Sequence, residues 1–331
     1  MTVDEPHTRL VAGRTDTTDD REIVSFHRRR ELAGVEVRSL KNSKRPFHAY
    51  STDFEFFAPS SWQGEVWHRR RQTLVGPGTV ACAHPGEVVS ARRVIVPGAG
   101  NFLTIDARVF HEYLSEQVQA ASKLRLCAVT QVSQTLGDKL REVFRVVRPG
   151  PSPLEIQSAL VEFVHAVLGE LVEDSNGEAP SLDSGMRTAE RVRECLHFDS
   201  SATVDLSTLA KQAGVSRYQA LRLFKRRYGL PPHTYQLSVR VALAQKALRE
   251  GQQAVHVATH YGFVDQSHFT RHFKRLLGVT PAQYARVGAR PRVATPRVDA
   301  TSYLTKANSG ADSSRSSGIA TRVTTGQETL V

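Results

Sequence analysis

The sequence predicts an α+β fold of two domains: an antiparallel β-barrel with attached helices, then an all-helical module. Three observations carry this. Short apolar runs punctuated by Gly and Pro fill the first third, apolar residues at helical spacing follow, and a compact basic stretch near the end repeats itself. The chain has 331 residues, a length at which about two domains are expected. Hydrophobic residues make up 40% of it, enough for sizeable cores and too many for whole-chain disorder.

Residues 1–20 are polar, lack the apolar core of a secretory signal, and are expected to be disordered. The β-rich part is assigned to residues 21–112. Its runs include Phe54-Glu55-Phe56-Phe57, Thr79-Val80-Ala81-Cys82, Val94-Ile95-Val96 and Phe102-Leu103-Thr104-Ile105. Gly76-Pro77-Gly78, Pro85-Gly86 and Pro97-Gly98 divide them, a pattern of many short strands that suits a sandwich or barrel. Residues 113–173 form a helical region: Leu136, Leu140, Val143, Phe144 and Val147 follow 3.6-residue spacing, as do Leu160, Val161, Val164, Leu168 and Leu171. Before these helices, Lys123 to Thr130 alternates enough to be extended, and its state stays open. Residues 174–185 read as a linker and 287–331 as a disordered basic tail.

Charge is unevenly placed. Residues 1–185 hold 22 Lys+Arg against 24 Asp+Glu, residues 186–285 hold 15 against 6, and residues 286–331 hold 7 against 3. The net charge of +11 therefore lies behind residue 185, as expected of a polyanion-binding module joined to a near-neutral partner. No run of about 18 apolar residues exists, so no membrane span is expected. Cys82, Cys127 and Cys195 are too far apart for a disulfide scaffold or a clustered zinc site, which points to a reducing cytoplasm.

The basic stretch contains a duplication. Phe224-Lys225-Arg226, Gly229, Pro232 and Tyr235 recur as Phe273-Lys274-Arg275, Gly278, Pro281 and Tyr284, each offset by 49 residues. Each copy reads as a helix-turn-helix, at 205–228 and 254–277. In the first, Leu206, Leu209, Ala210 and Ala213 make an inner face, Gly214 supplies the positive φ of a tight exit, and Ser216 with Gln219 forms a capping box. In the second, Val255, Ala258 and Thr259 are expected inside, Gly262 makes the turn and Asp265 caps the next helix. A helix from about Tyr235 to Glu250 joins them.

The run Gly262-Phe263-Val264-Asp265-Gln266-Ser267-His268-Phe269-Thr270-Arg271-His272-Phe273-Lys274, with Gly278, Thr280-Pro281 and Tyr284, resembles the signature of the AraC/XylS family of bacterial transcription regulators. The resemblance spans residues 186–286 and implies two helix-turn-helices reading adjacent major grooves of promoter DNA. By position, Arg217, Tyr218, Leu221, Arg222 and Lys225 would meet DNA from the first copy. Gln266, Ser267, His268, Thr270, Arg271 and Lys274 would do so from the second. Arg222 and Arg271 suit guanine O6 and N7, Leu221 a thymine methyl, and Lys225, Lys274 and Arg275 the phosphates. Ala220 and Ala285 depart from the family pattern, which carries a larger aliphatic residue and often an Arg there.

Residues 23–110 resemble the cupin-like sensor barrel that many members carry, through Gly64-Glu65-Val66, Gly76-Pro77-Gly78-Thr79-Val80 and His84-Pro85-Gly86-Glu87-Val88. An effector pocket would draw on His48, Glu55, Trp67 and His84, although both histidines also suit turn positions. A cupin enzyme needs a metal-binding His/Glu set, and His48 with Glu55 is too few ligands, so no metal, cofactor or catalytic residue is expected. Arg69-Arg70-Arg71 reads as a solvated loop. The stripes at 136–147 and 160–171 suit either a homodimer seam or their own barrel, and the family favours the dimer. The resemblance as a whole implies a cytoplasmic, nucleoid-associated regulator, more often an activator, that also contacts RNA polymerase. Control by a small-molecule effector and control by a partner protein both remain open.

Overall fold

The computed structural model describes residues 22–29, 32–115, 126–172, 183–198 and 204–287. The tail expected at 1–20, residues 174–182 of the linker and the basic tail beyond Val287 lie outside the described residues.

Ten strands come first: β1 Ile23–His27, β2 Val35–Ser43, β3 Phe47–Tyr50, β4 Phe54–Pro59, β5 Gln63–His68, β6 Arg71–Val75, β7 Thr79–Ala83, β8 Val88–Val96, β9 Gly98–Ile105 and, after helix α1 (Ala107–Ser115), β10 Val129–Gln131. They pair as two open antiparallel sheets rather than one closed cylinder. One has the order β1-β2-β9-β4-β7-β10, the other β3-β8-β5-β6. Between β8 and β9 stands Pro97, which has no N–H to donate, and there the chain leaves the small sheet for the large one. The segment left open, Lys123 to Thr130, ends in β10, which pairs with β7.

Both faces of the large sheet are covered, which explains why Phe54-Glu55-Phe56-Phe57 barely alternates in polarity. Phe57 turns inward, stacked on Phe102 at 4.3 Å, in a core with Trp62, Val66, Val75 and Ala91. Phe54 and Phe56 turn outward, where Phe56 meets Phe163 edge-on at 5.1 Å. The outer cover is α2 Gln134–Val146 and α3 Pro153–Glu170. Ser133 caps the first, and a Ser152/Glu155 capping box opens the second. Leu136, Leu140, Val143, Phe144, Leu160 and Val164 are buried against this chain's own sheet. This corrects the expected dimer seam: the stripes cover Phe56, Val80 and Leu103, which would otherwise be bare.

The remaining helices are α4 Ser184–Phe198, α5 Leu206–Ala213, α6 Arg217–Tyr228, α7 Pro232–Arg249, α8 Ala254–His260, α9 Gln266–Leu277 and α10 Pro281–Ala285. They form two bundles on the shared helix α7. Leu209, Ala213, Ala220, Phe224 and Tyr235 fill one core, and Val257, Phe263, Phe269, Phe273 and Tyr284 fill the other. The duplication is visible in three dimensions. Phe224 and Tyr235 meet edge-on at 5.2 Å, and their counterparts Phe273 and Tyr284 do so at 5.6 Å.

Candidate nucleic-acid interface

Each copy presents a capped helix whose inner side is anchored and whose outer side is wet. Ser216 accepts from Gln219 N–H, and Gln219 Oε1 accepts from Ser216 N–H, closing the capping box that starts α6. Asp265 Oδ1 accepts from His268 N–H at 2.6 Å and starts α9. Gly214, Gly229 and Gly278 end α5, α6 and α9 in the left-handed conformation. Phe224, Phe269 and Phe273 are fully buried, which fixes how far each helix can roll.

With that roll fixed, Arg217, Tyr218, Arg222 and Lys225 are exposed on α6, and Tyr218 is 74% accessible. On α9, Gln266, Ser267, Arg271 and Lys274 are exposed. Leu221, His268 and Thr270 are only half-exposed. His268 leans back on Phe263 (5.8 Å between ring centres) and on His272 (4.4 Å). Burial and the charges of His268, Arg275, Arg271 and His233 push His272 down to about 4. Arg226 and Arg227 are partly engaged within the bundle, with Asp183 and Glu190.

One expectation in the second copy is corrected. The inner residues of α8 are Val257 and Ala258, while Val255 is 57% exposed and Thr259 is exposed. The i, i+3, i+4 pattern fits two phases in so short a helix. Ala254, Val257, Ala258 and Tyr261 prevail because they reach the core around Phe263.

The four residues assigned to an effector pocket do not converge. Glu55 lines a cavity between the sheets with Phe57, His68 and Phe102, and burial raises its carboxyl above the ordinary range against the opposing pull of Arg38 and a Ser51 hydrogen bond. That cavity is about 30 Å³, room for a water and no more than a fragment of a ligand. His84 Nε2 accepts from Leu126 N–H at 2.9 Å, so its ring fastens the chain entering β10. Trp67 faces outward under the C-cap of α6, with Arg92 over its ring at 5.2 Å. His48 is half-buried on β3, its Nε2 without a hydrogen-bond partner among the described residues, and burial and Arg275 lower its pKa. Glu55 points between the sheets and His84 stands in the turn after β7, whereas His48 and Trp67, both opposite Ser90, share the outer face of the small sheet on strands either side of β8. Arg69 is likewise no solvated loop residue: its guanidinium pairs with Glu87 at 2.8 Å and donates to Leu126 O at 2.6 Å.

Sequence reasoning also missed a polar seam between the sheets and α7. Lys246 Nζ stands 3.1 Å from Asp53 and 2.9 Å from Asp106, and Arg249 pairs with the same Asp53, which is 1% exposed. Burial alone would raise Asp106, but the hydrogen bonds from Lys246 and from the Arg108 N–H, together with the charges of both residues, outweigh it and hold the carboxyl below its usual range. Nearby, Tyr284 donates to Glu36 at 2.7 Å, Arg28 pairs with Glu36 at 3.0 Å, and Arg28 donates to Tyr284 O at 2.6 Å. Burial pushes the Tyr284 hydroxyl far above its ordinary pKa, so it stays a donor. A cavity of about 430 Å³ opens beside this seam, lined by Arg28, Val35, Asp106, Val109, Arg249 and others.

Among the described residues no three His, Cys, Asp or Glu side chains are grouped as a metal site, and no helix is long and apolar enough to cross a membrane.

Two helix-turn-helices with basic outer faces on one connecting helix define a DNA-binding protein. Residues 209–286 match the family of helix-turn-helix domains. The probable transcription factor PqrA of Proteus vulgaris is 33% identical over 89 residues, which are 27% of this chain and 73% of PqrA. The virulence regulon transcriptional activator VirF of Yersinia enterocolitica is 23% identical over 189 residues, 57% of this chain and 70% of VirF. The crystal structure of ToxT from Vibrio cholerae overlays with a TM-score of 0.43 at 15% identity, covering 76% of this chain and 97% of ToxT. The chain belongs to the AraC/XylS family of DNA-binding transcription regulators.

Proposed function

We propose that the chain activates transcription by laying α6 and α9 into successive major grooves at one promoter site. The observation that carries this is the pair of capped helices with buried phenylalanines inward and exposed Arg217, Tyr218, Arg222 and Lys225, or Gln266, Ser267, Arg271 and Lys274, outward. A recognition helix enters the groove by its N-terminal turns, where Arg217, Tyr218 and Arg222, or Gln266, Ser267 and Arg271, lie, while Lys225 and Lys274 stand in the last turns. Arg222 and Arg271 read guanine, and Lys225 and Lys274 neutralise phosphates. A transcriptional activator among the relatives supports the sign of the effect, and activation requires contact with RNA polymerase on the bound promoter. The protein acts on the nucleoid in the cytoplasm.

Control enters through the N-terminal domain. The seam formed by Asp53, Asp106, Lys246 and Arg249 is ionic, and such an interface opens and closes more readily than an apolar one. A small-molecule effector that prefers one state of the seam shifts DNA affinity by its differential affinity for the two. The 430 Å³ cavity beside the seam has the volume of a ligand site, which the space between the sheets lacks. Homodimerisation, with half-sites bound in tandem, uses a surface other than the buried α2 and α3 stripes.

The test is retention of fragmented genomic DNA by the purified full chain, followed by sequencing. Enrichment of a few intergenic sites sharing a motif is the expected result. Indiscriminate retention that disappears at moderate salt would instead make the basic module an electrostatic anchor without sequence preference.

A further inference from the structure

The most exposed large apolar side chain among the described residues is Val264, at 86%. It is the residue immediately before Asp265, the N-cap of α9, so it stands at the end of the helix that leads into the groove. Its backbone is held on both sides. Phe263 before it is buried against Phe269, with ring centres 4.8 Å apart, and Asp265 after it is fixed by its bond from His268 N–H. A valine has little χ1 freedom, so the isopropyl group is presented in a nearly fixed place.

The motif itself does not demand this exposure. In the first copy one residue, Val215, separates Gly214 from the N-cap Ser216. Its N–H donates to Ala210 O as that of Phe263 donates to Ala258 O, so the packed Val215 corresponds to the packed Phe263 and Val264 has no counterpart. The second copy thus carries one residue more at this turn, and that residue is left bare. In the major groove the one apolar feature of a base pair is the C5-methyl of thymine.

We infer that Val264 is a specificity-determining residue that packs on a thymine methyl at the edge of the sequence read by α9. This rests on the reading of α9 as a recognition helix and adds a contact to it that the polar residues cannot make. Thymine is favoured there over cytosine or uracil, and 5-methylcytosine partly replaces it.

The test uses the full chain and a site selected from random duplexes. Each thymine is replaced in turn by deoxyuridine, which removes the methyl and leaves base pairing intact. At one thymine of the α9 half the loss of affinity is about fourfold, the value for burying one methyl-sized group. Val264→Ala binds the parent site about fourfold more weakly and is indifferent to that same replacement. Because the side chain is exposed, the thermal midpoint of Val264→Ala stays at that of the parent, which separates lost contact from lost folding. A selected site without thymine in that half overturns the inference, as does a deoxyuridine penalty equal in the parent and in Val264→Ala. Selection of no motif at all would remove the recognition reading itself, and the inference with it.

Discussion

Gly229 lies so close to Trp67 that a Cβ built on it would stand 2.5 Å from the indole Cε3. Its counterpart in the second copy, Gly278, would put a Cβ 2.6 Å from Cγ2 of Val24. The N-terminal domain therefore touches the same turn of both helix-turn-helices, and both glycines have positive φ, 76° and 81°. Gly229→Ala combines left-handed backbone strain of about 1–2 kcal/mol with a clash that the flat indole cannot yield to cheaply. The expected loss is about 2–4 kcal/mol in chemical denaturation. A cycle with Trp67→Ala shows coupling of about 0.5–3 kcal/mol. Strictly additive losses would mean that only the backbone conformation matters.

Base readers and phosphate anchors differ in what their removal does. Arg222→Ala and Arg271→Ala each weaken binding to the selected site by about 1–3 kcal/mol and relax the preference at one base pair. Lys274→Ala weakens specific and random DNA alike and lowers the salt slope by about 1. Titration of both DNA types across a salt series checks this. Three equal, sequence-independent losses would leave α6 and α9 without readers.

Breaking the seam at Asp53 leaves Lys246 and Arg249 facing each other without their shared anion. Removing one partner from a largely buried ion pair typically costs about 3–5 kcal/mol, and Asp53→Ala is expected at the lower end because Lys246 keeps Asp106. Limited proteolysis and urea denaturation report the change. An Asp53→Ala protein as stable and protease-resistant as the parent would show that the seam contributes no stability.

The seam also carries an acid limit. The folded pKa of Asp106 lies below its unfolded value, so its contribution is complete above the unfolded pKa and is lost as pH falls through the lowered folded one. His272 acts in the opposite protonation state with the same direction on the pH axis. Its pKa is lowered from the ordinary histidine value of 6.5 to about 4, so the unfolded chain binds the proton first and stability declines as pH drops through that interval. Nuclear magnetic resonance titration of His272 should give a midpoint near 4, and His272→Gln should flatten the decline. A midpoint at the ordinary histidine value would remove this source of acid sensitivity.

Local signals in the sequence were enough wherever a few consecutive residues decide the structure. Ser216 with Gln219 and the glycines at 214, 229 and 278 mark the ends of α5, α6 and α9, because caps are made within one turn. The outward set on α6 followed from the positions of Ala220 and Phe224. Two phases of α8 were equally compatible with spacing, and packing around Phe263 chose between them. The seam was illegible for a different reason: Lys246 and Asp53 are 193 residues apart, and neither carries a local mark of its partner. Trp67 and His84 were misplaced because type alone does not tell which face of a strand, or which loop, a side chain serves.

The two copies share their aromatic pairs, Phe224 with Tyr235 and Phe273 with Tyr284, yet they are not interchangeable. Tyr235 faces His197 at 2.9 Å, while Tyr284 donates to Glu36. Their proposed contact faces differ as well, with Tyr218 and Arg222 on one and Gln266, Ser267 and Arg271 on the other. A palindromic operator reads the same from either end, but a reader with unlike heads gives its site a compass heading. Turning such a site around while leaving it in place would point the N-terminal domain the other way along the promoter.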